Sequence, residues 1–461
     1  MAIIKAYTLP HPPLAIPGIG RGQEEGIKDT LKAFDEVARE ITGLAPETII
    51  YITPHSVMYS DYFHISPGKT AQGDFGGFGV PSVKLETNYD EEFVNALAGN
   101  AKKINLPAGT LGEREAKLDH GVTVPMWFIN RCYKSYKSVR ISQSGLSQSD
   151  HYRLGQLISE TAGSLGRKTV LIASSDLSHK LKHDGPYGFA PEGPQFDSII
   201  SQVIADGAFL SLLKIPEKIR ERAAECGYNS LVVLAGCFDK RRVEPRLFSY
   251  EGPYGVGYAI GSFAPAERDG SISVLEQFEE FVLQEARLKK EAEDVYRALA
   301  RRSLEYKIKV GRDIELPDSL PEELIGKKAG VFVSLYKNGQ LRGCIGTISP
   351  ATGSVAKEII QNAVSAGLRD SRFDLVTESE LPYLTYKVDI LAAPEPVSEP
   401  GELDVKRYGV IVTCGHKRGL LLPNLDGIDT VEEQIAIAKR KAGIAENEPI
   451  KLERFEVTRY E

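Results

Sequence analysis

The chain has 461 residues, of which 42% are hydrophobic and 26% are charged, and this composition excludes a wholly disordered protein. At roughly 150 residues per domain, the length predicts two or three domains. A formal charge of −7 argues against a nucleic-acid binder, which normally presents a basic face. Since no apolar run reaches the roughly 18 residues of a membrane span and no signal peptide is evident, we expect a cytoplasmic protein without membrane contact.

Short strands and helices alternate through residues 1–265. The predicted elements, in chain order, are a strand at 3–7, an amphipathic helix at 24–43 and strands at 48–53, 139–141 and 169–173. This alternation is typical of an α/β domain built on a central sheet. The polar residues 264–270 follow a glycine-rich run, and we place the end of the first domain at residue 265.

A long helical stretch, residues 272–306, opens the second half of the chain. We interpret residues 266–284 as a linker and connecting helix that leads into a second domain at residues 285–461. The predicted elements of that domain are strands at 331–335, 386–391 and 409–413 and helices at 354–368 and 431–442.

Cysteine and histidine are distributed differently along the chain. The five cysteines are scattered and contain no CxxC pair, which indicates neither a disulfide framework nor a zinc ribbon. Seven of the eight histidines lie before residue 184, and His416 is the exception. We therefore expect any imidazole chemistry in the first domain.

Four histidines of the first domain lie where a binding site would form. His11, His55 and His179 each follow a predicted strand, and His120 precedes an apolar run. In open α/β sheets, ligands gather beyond the carboxyl ends of the strands, so these side chains can converge. A single histidine in this setting is more often structural, but four of them favour a functional group. We interpret the other three histidines of this domain as surface residues: His64, His151 and His183.

A metal site at these histidines would need a third ligand. Two neutral imidazoles with one carboxylate or thiolate form a facial metal site that keeps open coordination positions. Glu225 and Cys226 are neighbouring candidates at a turn before an apolar segment. Glu251 is a weaker candidate and is better explained as an exposed acid at a strand entry. The carboxylate and the thiolate remain open alternatives at this point.

The first domain carries short motifs in a recognisable order: HPP at His11, PHS at His55, DHG at His120, SDLSH at His179 and ECG at Glu225 and Cys226. With these motifs, residues 1–265 resemble the class III extradiol dioxygenase superfamily, which has the LigB and Memo-like fold. The resemblance implies that His11 and His55 are metal ligands. It also implies that His179 is the acid/base residue and that His120 faces the substrate. Asp176 or Ser178 could then orient the His179 ring.

The third ligand separates two branches of this superfamily. Ring-cleaving members use a glutamate, which Glu225 matches, whereas Memo-like members use a cysteine followed by glycine, which Cys226 and Gly227 match. The first branch implies Fe(II) and cleavage of a small aromatic substrate resembling a catechol or aminophenol, with His179 moving the substrate proton. The second implies a softer thiolate site, open also to Zn or Cu, in a metal-binding protein that does not cleave rings.

Two segments of the second domain combine arginine with glycine or with an acid. LRGCIGT, at 341–347, contains Arg342 and Cys344, and GLRDSRF, at 367–373, contains Arg369, Asp370 and Arg372. Two arginines beside an acid can recognise a carboxylate or a phosphate of a ligand. The alternative is a structural turn with a buried cysteine and a surface ion pair.

These two segments and RKAGI, at residues 440–444, resemble the AMMECR family over residues 285–461, which implies an α+β domain. The family implies no secure reaction. AMMECR proteins, Memo-like proteins and a radical-SAM protein are grouped as the AmmeMemoRadiSam system, and this chain resembles the first two fused. A radical-SAM enzyme is therefore an expected partner, whereas the chain itself lacks the CxxxCxxC spacing of such an enzyme.

Overall fold

The computed structural model describes residues 3–114, 117–266, 273–337, 339–425 and 427–461. It divides into two compact units, residues 1–279 and residues 280–461, and each unit has its own apolar cores. Residues 267–272, which include much of the predicted polar break and part of the predicted linker, lie outside the described residues. Among the described helices, none is both long enough and apolar enough to cross a membrane.

The first unit is an α/β domain, as predicted, and its strands form a central sheet and two small ribbons. The strands are β1 Ile3–Leu9, β2 Thr48–Thr53, β3 Phe63–His64, β4 Thr70–Phe75, β5 Val80–Asn88, β6 Ala108–Gly109, β7 Lys137–Ser142, β8 Thr169–Ser174, β9 Val243–Glu251 and β10 Tyr258–Pro265. The helices are α1 Lys28–Leu44, α2 Glu91–Lys103, α3 His120–Asn130, α4 Gln148–Ser164, α5 Glu192–Asp206, α6 Phe209–Leu213, α7 Glu217–Ala223 and α8 Tyr228–Gly236.

The central sheet has six strands in the order β7-β2-β8-β1-β10-β9. The first four of these strands are parallel, and β10 and β9 are added antiparallel at one side. Every residue of β2 and β8 is buried, because apolar cores cover both faces of the sheet. The parallel strands consequently end at one common edge, where the loops that follow them meet.

Helix boundaries differ from the prediction in two places. The helix predicted at 24–43 begins only at Lys28, because Gln23–Ile27, which contains a glycine, forms a 3-10 turn instead. The helical stretch predicted at 272–306, a connecting helix merging into the first helix of the second domain, consists of two separate helices, α9 Val274–Glu291 and α10 Val295–Val310. The Asp294 side chain accepts hydrogen bonds from the backbone N–H groups of Tyr296 and Arg297, and this N-cap starts the second helix.

The second unit has the α+β architecture that was predicted. After α10, its elements are α11 Glu322–Gly326, β11 Val331–Lys337, β12 Gln340–Gly346, α12 Val355–Leu368, β13 Leu384–Leu391, β14 Glu395–Val397, β15 Gly409–Cys414, β16 Lys417–Leu421, α13 Val431–Ala442, β17 Lys451–Phe455 and β18 Val457–Tyr460. Two antiparallel sheets result, with the orders β12-β11-β13-β18 and β14-β17-β15-β16.

Two glycines let α4 and α8 of the first unit pack with their backbones in contact. A Cβ atom on Gly155 would lie 2.0 Å from the carbonyl oxygen of Val233, and one on Gly236 would lie 2.0 Å from that of Tyr152. Any larger side chain would force the helices apart. Since α8 follows Cys226 and Gly227 directly in the chain, this close packing also determines where these two residues lie.

We predict that Gly155→Ala lowers the unfolding free energy of the first unit by about 1–3 kcal/mol, because the added methyl group has no space. The matched control is Gly99→Ala in α2, where a Cβ atom would meet no other heavy atom within 4 Å. There the higher helix propensity of alanine should stabilise the unit by about 0.5–1 kcal/mol. Urea unfolding followed by the fluorescence of Trp127, the single tryptophan of the chain, measures both changes. Equal stabilities of the two variants would contradict the packing argument.

Candidate metal site

Three side chains converge at the edge of the sheet where the parallel strands end. His11 lies just beyond β1, His55 just beyond β2, and Cys226 just before α8. The Nε2 atoms of His11 and His55 are 3.0 Å apart, and Cys226 Sγ is 3.6 Å from His11 Nε2. The three ligand atoms all lie within 4.8 Å of one another. The structure therefore brings together two imidazoles and one thiol in a single cluster.

The chemistry and the spacing of this cluster fit a metal ion. Nitrogen and sulfur ligands stand about 2.0–2.3 Å from a bound metal, which places them roughly 3–4 Å from one another. The 3.0 Å separation of His11 from His55 and the 3.6 Å separation of His11 from Cys226 agree with that spacing. The residue His11 is buried, Cys226 is partly buried and His55 is exposed. A metal held here would have protein on one side and access for a further ligand on the other.

Ser174 determines which ring nitrogen of His11 has a lone pair available for a metal. The Ser174 hydroxyl donates its one proton to the carbonyl oxygen of Gly121, at 2.5 Å, and lies 2.9 Å from His11 Nδ1. The hydroxyl must therefore accept the Nδ1–H hydrogen bond of His11, which leaves a lone pair on Nε2. The backbone N–H of His11 also donates to Asp176 Oδ1, at 2.7 Å. These contacts hold the ring in the tautomer and orientation that a metal ligand needs.

The backbone of Cys226 is held equally firmly. The side-chain amide of Gln143, which follows β7, donates a hydrogen bond of 2.9 Å to the Cys226 carbonyl oxygen. The next residue, Gly227, lies so close to Ser175 that a Cβ atom would be 2.3 Å from the Ser175 Cβ. The turn at Cys226 is thus fixed against the loop that follows β8.

The two other predicted site histidines flank the cluster. The His120 ring stacks on the His55 ring, with centroids 4.1 Å apart and an interplanar angle of 22°. His179 Nε2 lies 3.9 Å from Cys226 Sγ, and the ring of His179 stacks on Tyr187. All four of the histidines singled out in the sequence consequently surround one site.

The two predicted partners of the His179 ring make other contacts. Asp176 accepts from the backbone of His11, and the Ser178 hydroxyl donates to the carbonyl oxygen of Ala223. The His179 ring is oriented instead by stacking on Tyr187. The sequence around His179 gives no signal for this contact, because Tyr187 lies in the following loop.

Desolvation controls the charge of the site. Although the residue His55 is exposed, the protein around its ring lowers the pKa of the imidazole to about 4, and burial lowers the pKa of His11, His120 and His179 as well. All four rings are therefore neutral near pH 7, as metal ligands and proton acceptors must be. Burial, with Asp176 and Glu225 nearby, raises the pKa of the Cys226 thiol well above its usual range. A nearby cation is needed to ionise this thiol.

Neither acidic candidate for the third ligand belongs to the cluster. The Glu225 carboxylate accepts a 2.6 Å hydrogen bond from the backbone N–H of Tyr228 at the start of α8, and burial raises its pKa to about 7. Glu251 accepts two hydrogen bonds of 2.7 Å from the backbone and hydroxyl of Thr30. Both carboxylates thus stabilise helix starts of the first unit.

Two of the three histidines predicted at the surface are not there. His64 and His151 are fully buried, and that expectation is wrong for both, whereas His183 is exposed as expected. The His151 ring packs against Phe63 and lies 3.0 Å, by Nδ1, from the carbonyl oxygen of Ser147. Because an imidazole with such a local backbone partner can be buried at little cost in free energy, residue type alone does not predict its burial.

The predicted ligand residues of the second unit form two ion pairs. Arg342 pairs with Glu380, and Arg372 pairs with Asp370. Glu380 is distant from Arg342 in the chain, so no local sequence signal predicts the first pair. The Cys344 thiol is partly buried and accepts a hydrogen bond from the Ser334 hydroxyl. Arg369 ends α12 with its side chain exposed. The ion pairs and the partly buried Cys344 are features of the structural alternative, and they leave the exposed side of the Arg372 guanidinium open to a ligand.

Known proteins match both parts of the chain. Residues 5–261 match the family described as the catalytic LigB subunit of aromatic ring-opening dioxygenase, and residues 297–461 match the AMMECR1 family. A protein of Clostridium acetobutylicum, Protein CA_C1420, is 42% identical over 468 residues, covering 100% of this chain and 99% of its own length.

Shorter relatives match part of the chain. A protein of Thermotoga maritima is 49% identical over 170 residues, covering 36% of this chain and 98% of its own length. The crystal structure of the uncharacterized protein PH0010 from Pyrococcus horikoshii is 33% identical, covers 37% of this chain and 91% of that chain, and gives a TM-score of 0.34. Taken with the two family matches, the full-length similarity shows that this chain belongs to the LigB family through its first unit and carries an AMMECR1 domain in its second, the fused architecture that the sequence motifs predicted.

Proposed function

We propose that the LigB-like unit binds one transition-metal ion through His11 Nε2, His55 Nε2 and Cys226 Sγ and acts on a small molecule there. The convergence of these three atoms is the observation that carries the proposal. Fe(II) is the first candidate, and the thiolate, which is a soft ligand, makes the site suitable for Zn or Cu also. When bound, the metal would supply Lewis acidity and, for iron or copper, electron transfer.

The flanking histidines are the proposed proton carriers. His179 and His120 are neutral and lie beside the cluster, so either ring can accept a proton from a bound molecule and return it. Two exposed aromatic side chains contact these rings: Phe78 lies against His120 and Tyr187 against His179. Exposed aromatic faces at a site favour a planar, partly apolar substrate.

The identity of the third ligand decides which branch of the family the unit follows. The position of Cys226 in the cluster, with Glu225 directed to α8, favours a Memo-like metal protein that does not cleave aromatic rings. A radical-SAM enzyme is its proposed partner, on the basis of the fusion to an AMMECR1 domain. Extradiol ring cleavage is the second candidate, and the aromatic side chains beside His120 and His179 are the observation in its favour.

Ligand substitutions test the metal site. We predict that His11→Ala and Cys226→Ser each abolish stoichiometric metal, because a site with three protein ligands loses most of its affinity when one is removed. Glu225→Gln is the matched control and should retain the metal. Mass-spectrometric metal analysis of anaerobically purified protein measures all three. If Cys226→Ser retained the metal and Glu225→Gln lost it, the third ligand would be the Glu225 carboxylate and not the Cys226 thiolate.

The contact between Ser174 and His11 gives a separate prediction. Ser174→Ala should weaken metal binding by about 10–100-fold, because His11 loses the partner that fixes its tautomer. Ser175→Ala is the control, since the Ser175 hydroxyl bonds to Thr8 and does not touch the His11 ring. Competition with a chromogenic chelator measures both affinities. Equal affinities of the two variants would show that Ser174 does not orient the ligand.

Oxygen uptake separates the two candidate functions. We predict no stoichiometric ring cleavage when the Fe(II)-loaded protein is mixed with catechols and 2-aminophenols, because a cysteine replaces the glutamate ligand of the ring-cleaving branch. Oxygen consumption with a matching ring-opened product would favour the second candidate. In that case His179→Ala should keep the metal and lose the turnover.

A further inference from the structure

The second unit contains a cleft of about 630 Å³ between β12 and the segment that follows α12. Its wall includes Arg342, Arg372, Phe373, Asp374, Leu375 and Glu380. Arginine and apolar side chains therefore face the same space, and the proposed function of the first unit does not involve them.

Arg342 is held rigidly on the cleft wall. Its Nε and Nη2 atoms donate to the two Glu380 carboxylate oxygens at 3.0 and 3.1 Å, and Nη1 donates to the carbonyl oxygen of Asp374 at 2.8 Å. These bonds use three of the five N–H donors of a guanidinium. Within the described part of the chain, no further acceptor is recorded for the remaining donors. The group is thus fixed in place with donors still available.

Arg372 is fixed in a similar way. Its Nε and Nη2 atoms donate to the Asp370 carboxylate at 2.9 and 2.7 Å, and Nη2 also donates to the carbonyl oxygen of Cys344 at 3.1 Å. Among the residues that the structure describes, Nη1 has no recorded acceptor, and the side chain is 57% exposed. Two N–H groups of a positioned guanidinium consequently face the solvent.

The apolar part of the wall is also exposed. Leu375 is 64% exposed, and Phe373 lies under the Arg372 guanidinium at 5.4 Å. An exposed leucine and a half-buried phenylalanine beside fixed hydrogen-bond donors suit a ligand that has both a polar and an apolar part.

We propose that this cleft binds a small acid, a molecule in which a carboxylate or phosphate is attached to an apolar group. The oxyanion would accept hydrogen bonds from the free donors of Arg342 and Arg372, and the apolar group would cover Leu375 and Phe373. The carboxylates of Glu380 and Asp370 keep both guanidinium groups in position before the ligand binds, which lowers the entropic cost of binding.

The charges around the cleft indicate how the acid is recognised. Lys337 and Arg342 both bind Glu380, and Arg372 binds Asp370, so the cations are largely balanced by carboxylates. Asp374, whose side chain is exposed, adds a further negative charge. Binding therefore depends on guanidinium geometry more than on net charge, and replacing arginine by lysine should weaken it although the charge is kept.

Titration of the full chain with four probes tests the proposal. Benzoate and phenyl phosphate combine an oxyanion with an apolar ring, benzyl alcohol lacks the oxyanion, and inorganic phosphate lacks the ring. We expect saturable, equimolar binding of at least one ring acid, about tenfold tighter than inorganic phosphate and benzyl alcohol, by calorimetry. The ring acid that binds more tightly shows whether the cleft prefers a carboxylate or a phosphate.

Substitutions locate the binding. Arg372→Lys and Leu375→Glu should each weaken binding of the ring acid about tenfold. Leu375 is exposed, so its substitution should leave the fold intact. The control is Arg407→Lys, because Arg407 also pairs with a carboxylate, that of Glu456, and lies over a tyrosine ring, but outside the cleft. Absence of saturable binding, or binding that Arg372→Lys and Leu375→Glu weaken no more than Arg407→Lys, would overturn the proposal.

Discussion

The parallel pairing of β8 with both β1 and β2 is the constraint on which the candidate metal site depends. Leu9 pairs with Ser174, and Ile52 pairs with Ala173, so the three strands end at nearly the same level. His11 and His55 follow their strands within two residues and therefore reach one point from two loops. The same register puts the Ser174 hydroxyl beside the His11 ring, which fixes the tautomer of His11.

Packing elsewhere in the unit brings Cys226, the proposed third ligand, to that point. The glycine contacts between α4 and α8 and between Gly227 and Ser175 leave the turn at Cys226 little freedom. Desolvation and the neighbouring carboxylates raise the pKa of its thiol, which keeps the thiol protonated in the absence of a cation. In the proposed site, metal binding and ionisation of this thiol are therefore coupled.

Much of the site could be predicted from the sequence because it depends on strand order. Histidines at strand ends in an α/β pattern indicate a common edge, and His11, His55, His120 and His179 do meet there. The choice between Glu225 and Cys226 could not be made in this way. Adjacent side chains point in different directions, and only the turn into α8 decides which one faces the histidines.

Other features depended on contacts that are distant in sequence. The pairing of Arg342 with Glu380 joins residues 38 positions apart, and no local pattern predicts it. The burial of His64 and His151 likewise depends on neighbours in three dimensions. The break between α9 and α10 is different, because Asp294 is a recognisable N-cap residue even within a helix-favouring composition.

X-ray absorption spectroscopy at the edge of the bound metal shows whether sulfur coordinates it. With His11, His55 and Cys226 as ligands, we expect one sulfur at about 2.3 Å beside nitrogens at about 2.0–2.1 Å. The sulfur contribution should be present in the wild-type protein and in Glu225→Gln. A wild-type spectrum with nitrogen and oxygen neighbours alone would contradict the assignment of Cys226 as a metal ligand.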